Sequence, residues 1–119
     1  MSDLLAEWAK GESTADRAAV SALAADDDLI TRDSVRNSLA VKRNGQMICD
    51  WPRLSRRHSL LNQLSESDAV FLAFVLAIAQ RTALPLRQIA ALGERRLTIV
   101  LRALATLAGS DTVAVGVRT

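Results

Sequence analysis

This chain of 119 residues has one Cys, one His, two Pro and no Tyr, and each shortage closes off a class of protein. A single thiol, Cys49, cannot form an intrachain disulfide, so neither a disulfide scaffold nor an oxidising compartment is implied. One His and one Cys give no zinc-ligand spacing, and five scattered Gly make no phosphate-cradling loop. The longest apolar run, residues 69–79, has eleven residues against the ~20 that span a bilayer. Residues 1–13, MSDLLAEWAKGES, carry acids where a signal peptide would need basic residues and then an apolar stretch. A cytoplasmic protein with no membrane contact is therefore expected.

What is present is aliphatic. Half of the chain (50%) is apolar, while two Trp and two Phe are its only aromatics, so the core must be built from Leu, Ala, Val and Ile. That content excludes a disordered chain, and the Gly count excludes collagen. The length fits one domain over residues 1–119. Net charge is +2 but unevenly spread: residues 1–50 hold six basic and nine acidic groups, residues 51–119 nine basic and four acidic. Thirteen of the fifteen basic residues are Arg, whose planar fork grips phosphates and carboxylates bidentately.

Local signals predict a mainly α fold with a small β-sheet. Ser2 caps a helix over 3–10, stopped by Gly11; Ser13 and Asp16 have capping-box spacing and open a helix to about Ala25. A short helix after Thr31 places Val35 and Leu39 four apart. Asn44-Gly45 between runs that include apolar residues is a hairpin signal, with strands over 39–43 and 46–50. Pro52 opens a helix to about Leu64 with Leu54, Leu61 and Leu64 inward. Ser65 and Asp68 cap a helix over 66–81 that is hydrophobic all round. Such a helix is central to the core or part of a subunit interface through Phe71, Phe74 and Ile78, which makes a homodimer plausible. A short helix over 86–92, a turn at Gly93, a longer helix over 94–108 and a strand over 112–117 complete the chain. Leu97, Val100, Leu101, Leu104 and Leu107 form the inward face of helix 94–108. Residues 1–38 are candidates for a dimerisation arm, 39–51 form the hairpin, and 52–119 the helical core.

The order of elements from Asp68 onward, with the sequence PLRQIAALGERRLTIVLRALATLAGSDTVAV, resembles a winged helix-turn-helix domain of bacterial transcription regulators. The resemblance implies a positioning helix over 86–92, a recognition helix over 94–108 and a wing beginning at 112–117. The hairpin over 39–50 would supply the other strands of that sheet. Double-stranded DNA is then the implied partner. Arg95, Thr98 and Arg102, with Arg96 at the helix start, would face the major groove, where Arg reads guanine bidentately. Arg87 and Gln88 would position the protein on the backbone.

A second basic cluster, Arg53, Arg56 and Arg57 beside His58, lies in the first turns of the helix opened by Pro52, where positive charge opposes the helix dipole. It calls for an anion, either DNA phosphate or the acidic triad Asp26, Asp27 and Asp28, which needs no ligand. Three consecutive carboxylates on one turn do not encircle an ion, so no metal is expected. A Cys49 and His58 pair has the residue types of nucleophile and base, but no third group orients it. Trp8 and Trp51 read as apolar anchors. No cofactor is implied, and a non-enzymatic DNA-binding regulator follows. The rival reading is a protein-interaction module, adaptor or antitoxin-like, that uses the apolar helix and binds no nucleic acid.

Overall fold

A computed structural model of the chain describes residues 13–26, 29, 32–57 and 61–109. Along them run α1 (Thr14–Asp26), α2 (Asp33–Leu39), β1 (Ala40–Arg43), β2 (Gln46–Cys49), α3 (Trp51–Ser55), α4 (Glu66–Gln80), a 3-10 segment (Leu86–Leu92) and α5 (Gly93–Leu107). This is a mainly helical α+β fold with one two-stranded antiparallel sheet among the described residues. The helix expected over 3–10 and the strand expected over 112–117 lie outside them.

The capping signals act as the sequence indicates. Ser13 Oγ accepts the N–H of Asp16 at 3.3 Å and donates to its carboxylate at 2.7 Å, which fixes the start of α1. Ser65 Oγ accepts the N–H of Asp68 at 3.2 Å at the start of α4. In the hairpin, Asn44 (φ 51) and Gly45 (φ 76) both take the left-handed conformation that a tight two-residue turn requires. The turn sets the register, pairing Arg43 with Gln46 and Ala40 with Cys49. Cys49 is buried, and desolvation, aided by the Asp16 charge, pushes its thiol pKa up to about 12.

Three elements differ from the sequence expectation. The helix at Pro52 ends at Ser55 rather than Leu64. Leu54 is fully buried, but the next apolar positions are Leu60 and Leu61, and the polar run between gives a longer helix no inward face to bury. Leu61 and Leu64 instead pack partly buried against the core. The segment 86–92 is a 3-10 turn in which residues 86–90 are exposed and only Leu92 is buried. Its threefold repeat lines up Leu86, Ile89 and Leu92, so the row runs from solvent (62% and 38% exposed) into the core (3%). Finally, α5 turns Arg96, Ile99, Val100 and Ala103 inward, while Leu101 is 42% exposed and Leu97, Leu104 and Leu107 lie partly buried at the edges.

α4 is the centre of the molecule. Phe71, Phe74 and Ile78, expected as interface candidates, are at most 1% exposed within the single chain. α1, α3, α5 and the 3-10 segment pack around this helix and cover it, so its all-round apolar character is used inside the fold. Full burial of each large apolar side chain contributes roughly 1.5–3 kcal/mol. Ala15, Ala18, Ala19 and Ala22 are the buried small residues that let α1 lie close to its neighbours. No helix among the described residues is long and apolar enough to cross a membrane.

Candidate nucleic-acid interface

The arginines of α5 are engaged inside the protein. Asp26, the last residue of α1, has a side chain with no solvent exposure. Its Oδ1 accepts from Arg96 Nε at 3.0 Å and from Arg95 Nη1 at 2.9 Å, and its Oδ2 accepts from Arg96 Nη2 at 3.3 Å and from the Leu29 N–H at 3.3 Å. Arg95 Nη2 also donates to the Asp26 carbonyl oxygen. Arg96 continues across to α4, with Nη1 2.7 Å from Asp68 Oδ1 and 3.0 Å from Ser67 Oγ, and its guanidinium carbon lies 5.0 Å from the centre of the Phe71 ring. Asp68 Oδ2 in turn meets Arg32 Nη2 at 2.9 Å. The result is an alternating row, Arg32, Asp68, Arg96, Asp26, Arg95, that joins the C-terminus of α1 to the N-termini of α4 and α5.

Electrostatics make the row self-consistent. Burial alone would raise the pKa values of Asp26 and Asp68. Hydrogen bonds from Arg96, from the Leu29 N–H to Asp26 and from Ser65 to Asp68, and the neighbouring arginine charges, outweigh it and hold both below the usual carboxylate range. Burial would lower the pKa of Arg96, but its bonds to Asp26 and Asp68 and their charges raise it instead. All three groups stay ionised at neutral pH.

This arrangement corrects two expectations. Arg96 is 7% exposed and cannot face a DNA groove, while Arg95, although exposed, is held twice by Asp26. Asp26 is also not the anion for Arg53, Arg56 and Arg57, because it takes Arg95 and Arg96 instead; Asp27, Asp28 and His58 lie outside the described residues. Thr98 is half-buried and its hydroxyl donates to the Glu94 carbonyl at 2.9 Å. Arg102 is exposed and lines a shallow groove between α1 and α5 with Ala25 and Ile99. Arg87 and Gln88 are exposed on the 3-10 segment beside Leu84 and Pro85.

A different basic surface is left open. Asp50 accepts the Arg53 N–H through Oδ1 at 3.1 Å, capping α3, and accepts Arg43 Nη2 through Oδ2 at 3.0 Å. One carboxylate thus ties the hairpin to the start of α3. α3 is anchored from behind by buried Leu54 and Trp51, whose indole N–H donates to Asp16 at 2.8 Å, so Trp51 is an anchor as expected. With that face inward, Arg53, Arg56 and Arg57, spaced three and four apart, share the outward face. The helical turn persists through Arg57, whose N–H donates to the Leu54 carbonyl at 3.1 Å. All three are exposed, and no carboxylate among the described residues pairs with them. Strand alternation puts Lys42 on the other face of the hairpin from Arg43.

Arg43 was not among the candidate residues, yet two signals point to it. Across residues 34–65 there are six basic residues, and Asp50 is the only acidic one. The Asn44-Gly45 turn also fixes a register that puts Arg43 and Asp50 on the same face of the hairpin. Comparison with protein families, curated proteins and solved structures finds no match for this chain.

Proposed function

We propose that this protein is a non-enzymatic binder of double-stranded DNA and that Arg43, Arg53, Arg56 and Arg57 make the contacts, rather than the first turn of α5. The observation that carries this reading is the exposed face of α3 and the turn that follows it, where three arginines sit together and no carboxylate among the described residues pairs with them, beside a fourth that Asp50 orients. Cations crowded on one short helix repel one another, and an outside polyanion removes that repulsion. Arg forks bind phosphate oxygens bidentately, and four such contacts would give a duplex affinity dominated by counterion release.

The test is fluorescence anisotropy of a labelled duplex titrated with the full chain at two salt concentrations. Affinity should fall by roughly a hundredfold between about 50 and about 200 mM salt, the slope for about four neutralised phosphates. The triple variant Arg53→Ala/Arg56→Ala/Arg57→Ala should reduce that slope by about three, with thermal stability nearly unchanged, because none of the three supports the core. Unaltered binding by a folded triple variant would remove α3 from the interface.

A further inference from the structure

We infer that this surface reads no bases: it recognises the backbone of duplex DNA irrespective of sequence and discriminates against single strands. This inference rests on the duplex-binding reading above and adds what kind of nucleic acid the surface accepts.

Three observations carry it. Base readout needs a long element in the major groove with side chains fixed on base edges. α5 is the long exposed-edge helix here, but Asp26 holds Arg95 and Arg96. α3 has five residues, about 7.5 Å of helix, against a major groove ~12 Å wide. Next, no partner among the described residues fixes Arg53, Arg56 or Arg57. A guanidinium on a freely rotating stem can meet a phosphate in many orientations, whereas holding it on one base edge would cost side-chain entropy. The third observation concerns single strands, whose binders stack bases on aromatic rings. Trp51, Phe71 and Phe74 are at most 5% exposed, and Trp8, outside the described residues, is the remaining aromatic of the chain. With no Trp or Phe ring exposed among the described residues, attraction depends on charge density, which is highest on a duplex, with one charge per ~1.7 Å of axis.

Four labelled DNAs of equal length test this at low salt: a GC-rich duplex, an A-tract duplex, a mixed-sequence duplex and the single strand of the last. The expected result is duplex affinities within about threefold of one another and a single strand about tenfold weaker, where a sequence reader would separate sites by ~10³ or more. The A-tract duplex matters because its narrow minor groove attracts Arg by shape. A preference above about tenfold among the duplexes, or a single strand bound as tightly as its duplex, overturns the inference and leaves duplex binding standing. Absence of binding to every duplex overturns the duplex reading and this inference with it.

Discussion

Two groups of arginines meet aspartates in this fold, and their surroundings give them opposite roles. Where α1, α4 and α5 converge, Asp26 and Asp68 share Arg96 out of water, with Arg32 and Arg95 completing the row from the solvent side. At the hairpin and the start of α3, Asp50 accepts the Arg53 N–H and, among the described residues, engages the side chain of Arg43 alone. The comparison teaches that arginine content does not by itself locate an open basic surface; the balance of carboxylates within reach of each guanidinium decides which arginines are held inside the fold. In the buried row every charge is satisfied and the arginines hold the fold. At α3 the cations outnumber the one carboxylate that the described residues place beside them.

The sharpest way to break the comparison is to remove the central anion of the buried row. Asp26→Asn should cost about 3–5 kcal/mol of unfolding free energy in urea denaturation, because it leaves Arg96 buried with half of its compensation gone. Asp26→Leu combined with Arg96→Met should be less damaging than either single change, since removing a buried pair together leaves little charge stranded at that point. A double variant worse than both singles would show that the row contributes more than paired burial.

Acid titration gives the next effect. Asp26 and Asp68 have folded pKa values below the ordinary 3.8, so the unfolded chain binds their protons first. Their contribution is therefore fully present above that value and is lost as pH falls through it toward the lower folded values. Stability measured against pH should be flat in this contribution near neutrality and drop in acid, and Asp26→Asn should flatten the drop. The smallest effect belongs to Arg95→Ala. Its side chain is 62% exposed, so stability should fall by at most about 1 kcal/mol and duplex affinity should not change, in contrast to the α3 triple variant. A loss of DNA binding by Arg95→Ala would return the interface to α5.

Much of the framework was legible because its signals are local. Ser13 with Asp16, Ser65 with Asp68, and Asn44-Gly45 each act within four residues, and the structure places α1, α4 and the hairpin where they indicate. The rotation of α5 was not legible. Spacing favoured a leucine face and the resemblance implied an outward Arg96, whereas Arg96 turns inward to a carboxylate seventy positions earlier in the chain. No local period encodes such a partner. The 3-10 geometry of 86–92 was missed for a related reason: Leu86, Ile89 and Leu92 suit either helix type, and packing of Leu92 alone into the core decides between them. The three arginines at α3 were found from the sequence, and of the acidic triad that was one of two candidate anions for them, Asp26 is taken by α5.

Cys49 gives the fold a built-in chemical clock. Its thiol, at the end of β2, is buried in the core and stays protonated well above neutral pH, and no other cysteine competes with it. An alkylating reagent at neutral pH therefore reacts with molecules whose core has opened around Cys49 and passes over closed ones. Each modified chain records one opening event, so the labelling rate counts excursions from the native state without any added probe.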